Sequence, residues 1–429
     1  MESFLNFLGE SFSLLTIEAI GGFIYVLPIA LVFIFSHVWL LHRRAQFFES
    51  QESVLLEIRV PHDIPKSPLA MEVVIMALQQ TTGESTWYDT FILGKSRAFF
   101  SLEIVSIEGD VRFYIRTLSR VRKFIETQVY SQYPNAEIIE SPDYVTHVPY
   151  AQEGSDWNLF GVEFQLSKPD PYPIKTYIDY NLDKDPKEEL KVDPILPMIE
   201  FLGDLGRGEQ AWYQILVRAN RGKKDPTTPW ERDWQQEGRD VVSEMLKDAK
   251  ERSGPPPEIP GEDYRYSLLT EGERNVTKAI ERNISKLGFD CGIRALYLGK
   301  GESYNPANIA GLFGVVKQFS SNDLNGFRPK DYTDFDYPWQ NYINIPLFKS
   351  TVGVPFFSSK GKRTIYKKWK FFDAYRKRSW FFPPYERKPF VLNAEELATI
   401  YHFPGRVAET PTLKRIESRR AEPPADLPI

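Results

Sequence analysis

A single cysteine, Cys291, among 429 residues excludes an intrachain disulfide framework and a thiolate metal cluster. Histidine is scarce too: His37, His42, His62, His147 and His402 are scattered, and no two stand at metal-ligand spacing. The chain also lacks GxGxxG after a strand, a GxSxG elbow and HExxH. Gly94, Lys95 and Ser96 end like a phosphate-binding loop, but Asp89 occupies the place of its first glycine. The strand-like AFFSLEI follows where a helix N-terminus is needed. Paired carboxylates such as Glu188 with Glu189, or Glu395 with Glu396, have no context that makes them acid and base. The sequence therefore predicts no catalytic residue, no metal and no cofactor.

What is present begins with a run free of formal charge, the 22 residues Ile20 to Leu41, long enough as a helix to span a ~30 Å hydrocarbon layer. Residues 1–19 carry Glu2, Glu10 and Glu18 but no Lys or Arg, whereas His42, Arg43 and Arg44 follow at once. The positive-inside rule then predicts a single-pass protein of the cytoplasmic (inner) membrane, with the short segment 1–19 outside and the rest cytoplasmic. A signal peptide would need a basic start, a shorter apolar core and a small-residue cleavage site. Tyr25 and Trp39 suit the headgroup level.

The roughly 385 residues that remain exceed one ordinary core. Val54, Leu56, Ile58 and Val60 alternate with polar residues as in a half-buried strand, and Ser67 and Pro68 read as the cap and first residue of a helix lined by Met71, Val74, Ile75 and Leu78. Two strands turn at Glu108, Gly109 and Asp110, the first with Phe100, Leu102 and Ile104 opposite Ser101 and Glu103. A helix capped at Ser119 buries Val121, Phe124, Ile125 and Val129, and Ala136 to Glu140 form a last strand. This βαββαβ order is ferredoxin-like. A second such module is traced over 157–320, with strands at Leu159 to Leu166, Ala211 to Arg218 and Phe289 to Leu298. Helices start near Pro194, at Thr270 with Glu273 completing a capping box, and at Asn305. Gly288 reads as the left-handed terminator of the Thr270 helix, and Cys291 as a core residue. The predicted fold class is α+β: one N-terminal transmembrane helix (20–41), two ferredoxin-like modules (50–145 and 157–320, the second with a polar insertion at 221–263) and an extended C-terminal arm (321–391). A docking helix (392–405) and a tether (406–429) complete the chain.

Net charge is −5, yet residues 360–389 hold eleven Lys or Arg interleaved with nine aromatic residues. Three readings fit: bases stacked on aromatics with phosphates on cations, an arm on an anionic lipid surface, or a helix whose aromatics fill a groove on the fold. For DNA or lipid contact the candidates are Lys367, Lys368, Trp369, Arg376, Lys377, Arg378 and Trp380. In the stretch 392–405, Asn393 with Glu396 forms a capping box on a short helix that stops at HFPG.

Two blocks, FFSLEIVSIEGDVRFYIRTLSRVRKFIETQVYSQYPNAEIIE (Phe99 to Glu140) and PFVLNAEELATIYHFPGRVAETP (Pro389 to Pro411), resemble the membrane-proximal N-terminal region of bacterial type IV secretion and conjugation-type motor ATPases of the HerA-like and coupling-protein class. In that family a block similar to the second immediately precedes the ATPase domain. Here the sequence reaches Ile429 without one, so no catalytic residue carries over. The resemblance implies a non-enzymatic scaffold of a conjugative DNA-transfer or type IV secretion apparatus that docks a separate motor ATPase, with a lipid bilayer, DNA and further copies of itself as expected partners. Leu392, Asn393, Glu395, Glu396, Leu397, Tyr401, His402, Phe403, Pro404 and Gly405 are the implied docking residues. The alternative is a membrane-tethered protein that binds single-stranded nucleic acid without a motor.

Overall fold

Alternating apolar residues build strands, and in the computed structural model nine of them join one antiparallel sheet. It describes residues 27–61, 66–81, 83, 86–150, 155–183, 192–222, 233–253, 269–333, 360–382 and 385–405. The strands are β1 (Ser53–Arg59), β2 (Phe99–Ile107), β3 (Asp110–Leu118), β4 (Glu137–Glu140), β5 (Trp157–Leu166), β6 (Glu209–Ala219), β7 (Gly288–Lys300), β8 (Phe327–Tyr332) and β9 (Phe390–Asn393). Their order is β4-β1-β3-β2-β6-β7-β5-β8, with β9 also on β7. The expected pair of small ferredoxin-like modules is thereby corrected. β2 and β6 pair from Phe99↔Arg218 to Ile107↔Gln210, so no free edge separates two modules and the sheet is continuous. Long β-branched and aromatic strands on both sides of that seam satisfy each other's backbone groups, which two isolated edges would leave open.

The β2–β3 hairpin turns on Glu108 (φ 56°) and Gly109 (φ 86°), the paired left-handed residues of a two-residue loop. A Cβ on Gly109 would lie 2.9 Å from the carbonyl oxygens of Gly203 and Leu205.

Helices cover both faces. One core is shared by the sheet with α2 (Pro68–Ala77), α3 (Arg122–Gln132), α4 (Leu196–Gly203), α7 (Asn308–Gly314) and α9 (Ala394–Ile400), and includes Met71, Ile125, Leu202, Leu312 and Leu397. On the opposite face Leu55, Val105, Trp212 and Leu296 meet Phe371, Phe372 and Tyr375 of α8 (Lys360–Arg376). Ser67 caps α2 through the Leu69 amide, as its sequence predicts. Ser119 instead opens a short 3-10 turn, and α3 begins at Arg122 without a side-chain cap. The capping box of α6 (Glu271–Ile284) forms between Thr270 and Glu273. Gly288 is no left-handed terminator: it starts β7, and a Cβ there would come within 2.6 Å of the Trp234 indole at the head of α5 (Trp234–Ser253). β8 and the full length of α5 went unread in the sequence.

The transmembrane expectation is overturned. No helix among the described residues is long and apolar enough to cross a membrane. Residues 1–26, and with them the start of the apolar run, lie outside the described residues. Helix α1 is described over 27–49 and winds on through His42, Arg43 and Arg44 to Glu49 instead of ending at the charge step. Its charged end meets protein: the Trp39 indole donates to the Phe91 carbonyl at 2.9 Å and Arg43 Nε to the Ile92 carbonyl at 2.6 Å. Gly94 (φ 63°) sits where a Cβ would be 2.4 Å from the Arg43 carbonyl, and Lys95 bridges Asp89 at 2.8 Å. The predicted inner-membrane placement, N-terminus outside, falls with the anchor. The 406–429 tether and residues 334–359 of the arm also lie outside the described residues.

Candidate functional site: a buried ionic ladder beneath the basic helix

Period-2 alternation aims every second strand residue at the α8 face, and the register lines up one polar row there. Tyr114 of β3 faces Glu103 of β2, Glu103 faces Gln214 of β6, Gln214 faces Arg294 of β7, and Arg294 faces Glu163 of β5. All five are buried.

Burial opposes ionisation of Glu103, but the Arg378 charge and hydrogen bonds from Arg378, Ser101 and Tyr144 outweigh it and hold the carboxyl down at about 2. Arg378 Nε and Nη2 donate to the two Glu103 oxygens at 3.0 and 3.1 Å, Ser101 Oγ donates at 2.6 Å and Tyr144 Oη at 2.8 Å. Asp143 takes the other side of the Arg378 guanidinium at 3.0 Å. Further along the row, Arg294 Nη2 donates to Glu163 at 2.9 Å and to the Ser379 carbonyl at 3.2 Å, while Arg387 Nε holds the second Glu163 oxygen at 3.0 Å. Glu163 also stays below the usual carboxylate range, because the charges of Arg294 and Arg387 outweigh its burial.

The backbone at Arg378 is unusual. Its φ is 52°, the left-handed region. The Ser379 amide donates to the Ala374 carbonyl and the Arg378 amide to that of Tyr375, each at 3.0 Å, the pattern of a Schellman cap with arginine where glycine is the rule. An L-residue there costs roughly 1–2 kcal/mol. The strain is tolerated because only this geometry drops a guanidinium onto Glu103. Next to it the Trp380 ring lies over Gly292, where a Cβ would come within 2.1 Å of the indole, and within 5.1 Å of the Arg294 guanidinium.

Chemically this is a clamp. Glu103 and Glu163 are held ionised by cations of the same chain, below the near-neutral pKa a general acid or base needs. Of the residues proposed for DNA or lipid, Arg378 and Trp380 are buried, Lys367 bridges Asp331 of β8 at 3.1 Å, and Lys368 donates to Asn158 at 3.0 Å. Trp369 is half-buried against Tyr366, and Arg376 and Lys377 are exposed while bridging Asp373 at 2.6 and 2.8 Å. The segment is thus a helix whose aromatics fill the fold, one of the three readings its sequence left open.

The implied docking residues are internal as well. β9 pairs with β7 from Gly288↔Asn393 to Cys291↔Phe390, and α9 packs on α2 in the other core. Asn393 and Glu396 close their capping box, Asn393 Nδ2 reaches Asn283 at 2.6 Å, and Glu395 meets Arg282 at 3.2 Å and Lys286 at 2.9 Å. Leu397, Phe403 and Pro404 are buried, Gly405 is half-buried, and the Tyr401 hydroxyl donates to the Tyr114 carbonyl at 3.0 Å. Leu392 is fully buried. His402 Nδ1 donates to the Ala398 carbonyl at 2.8 Å and Nε2 lies 3.0 Å from Asp193. These side chains fasten the C-terminal segment to its own chain.

Residues 37–335 match the family model described as "Domain of unknown function (DUF8128)". The chain belongs to the DUF8128 family. The match spans β1 to β8 and stops before the α8–β9–α9 segment, so in this DUF8128 protein the Arg378 half of the ladder comes from outside the matched region. No curated protein matches the chain. Glu163 and Arg294 escaped the sequence reading, which placed Glu103 only on the polar face of its strand; the signal was there in lone charges within the apolar strands LEIVSI, FGVEFQ and GIRALY.

Proposed function

We propose that this protein is a non-enzymatic scaffold of a conjugative DNA-transfer or type IV secretion-like apparatus, which holds a separate motor ATPase and works as a homo-oligomer. One observation carries the reading: the two blocks that resemble the motor family, far apart in sequence, are packed together. Phe113 of the first block meets Tyr401 and Phe403 of the second with ring centroids 5.7 and 5.2 Å apart, and Tyr133 meets Phe403 at 5.0 Å. The two resembling blocks thus belong to one folded unit. The docking surface itself lies elsewhere than 392–405, because those side chains are occupied. Binding of single-stranded DNA is the weaker reading, since two of its seven candidate residues are buried and four of the others are engaged within the chain.

The test is affinity capture of the full-length protein from its own host, followed by ATPase assays on the captured complex and on the protein alone. Co-purification of a motor-class ATPase, with turnover in the complex and none in the isolated protein, is expected. ATP turnover by the isolated protein, or capture without any ATPase, would reject the scaffold reading.

A further inference from the structure

β5 and β9 lie end to end along one side of β7, β5 against Ile293–Lys300 and β9 against Gly288–Cys291. Beyond Phe164, β5 leaves β7 and runs on with β8, pairing Leu166 with Phe327. Where the two strands part, a cleft of about 250 Å³ opens. This is smaller than the roughly 300–1,000 Å³ of pockets for drug-sized molecules, so its occupant is a small one.

The lining carries both signs of charge. Lys330 of β8 and Lys388 just before β9 contribute to it. Neither has a hydrogen bond or a salt bridge to another side chain among the described residues, whereas Arg387 beside them is spent on Glu163. Partial desolvation, together with the charges of Arg387 and Lys388, keeps the Lys330 ammonium below its usual range even though Glu163 and Asp331 push the other way. That crowding of positive charge is relieved by an anion. Asp290, 2 % exposed, lines it as well. Its Oδ2 accepts from Arg218 Nη2 at 2.8 Å and its Oδ1 from Asn220 Nδ2 at 2.6 Å. Oδ1 keeps capacity for one more donor. Asp170 and Glu237 add carboxylates to the wall. The cleft thus offers a ligand both ammonium groups and a carboxylate acceptor.

We propose that this cleft binds a small phosphate ester bearing hydroxyl groups, its phosphate held by Lys330 and Lys388 and a hydroxyl donated to Asp290. Two ammonium groups match a dianion, which favours phosphate over a single carboxylate. The site is independent of the scaffold reading, since it needs neither a motor nor an oligomer.

Calorimetric titration of the full chain with glycerol phosphate and with inorganic phosphate tests this. The expected result is saturable one-to-one binding of both, with glycerol phosphate tighter by about threefold or more. The double variant K330A/K388A should weaken glycerol phosphate by about tenfold or more, while K330R/K388R stays within about threefold of the native protein. Lys388 is exposed, so K388A alone folds and should still weaken binding measurably. No saturable heat with either probe, or undiminished affinity in K388A and in the double variant, would overturn the proposal. Equal affinity for the two probes would remove the role given to Asp290.

Discussion

The two faces of the sheet solve the same packing problem by different chemistry. Beneath α9 the core is largely apolar, with Glu72 and Glu395 paired to Lys286 at its margin, and Glu396 sits there as part of a helix cap, its oxygens accepting from the amides of Asn393 and Ile174 at 2.8 and 2.9 Å. Burial pushes its carboxyl up to about 8 in spite of those amides. Beneath α8 the carboxylates face guanidinium groups, and Glu103 goes down to about 2. Two glutamates buried to the same degree are driven in opposite directions by what stands opposite them. The ionic face specifies where the arm lies, and the apolar face supplies most of the hydrophobic stabilisation.

The largest way to break the contrast is Arg378→Met, which leaves Glu103 charged and unpaired and should lower unfolding stability by ~3–5 kcal/mol in urea titrations. Arg378→Gly relieves the left-handed strain and should be milder by about 1 kcal/mol, although the charge is lost all the same. A cation removed from a surface pair, Lys247→Ala opposite Glu251, should change stability by no more than ~0.5 kcal/mol.

The pH dependences of the two faces run opposite ways. Glu396 is raised above its ordinary 4.5, so its contribution is complete below that value and fades as pH climbs through about 8. Glu103 is depressed, so its contribution is complete above 4.5 and fades as pH falls through about 2. Denaturation midpoints measured between pH 5 and 9 should therefore decline with a slope that Glu396→Gln flattens, by an amount on the order of a few kcal/mol across the range. Gly292→Ala, which drives a methyl into the Trp380 ring, should cost ~1–3 kcal/mol and shift Trp fluorescence. The caps lie at the lower end: Asn393→Ala, buried, should cost ~1–2 kcal/mol, and Thr270→Ala, at an exposed helix start, ~0.5–1 kcal/mol, both read from thermal melts.

Local pattern made much of this legible. The strand at Val54 to Val60, the Ser67–Pro68 start and the Thr270–Glu273 box each appear where their spacing puts them, although the strand is buried on both faces, Leu55 and Glu57 included, where its alternation predicted a half-buried one. Non-local features did not show. The β2–β6 seam joins strands about a hundred residues apart, and no property of Phe99 or Arg218 by itself announces that they are partners. Gly288 read as a helix stop because the Trp234 ring that needs its space comes from another element. The uncharged run up to Leu41 read as a membrane span because composition does not reveal that its helix continues past Arg44, with Trp39 and Arg43 bonded to residues 91 and 92. Arg378 was counted among surface cations for the same reason: its partner, Glu103, lies 275 positions away.

Hydrogen exchange by mass spectrometry at pH 7 on the native protein and on Glu103→Gln tests the clamp most directly. Loss of protection confined to residues 360–382, with α2 and α9 still protected, is the predicted outcome. Unchanged protection over 360–382 would contradict a ladder that fixes the basic helix to the sheet.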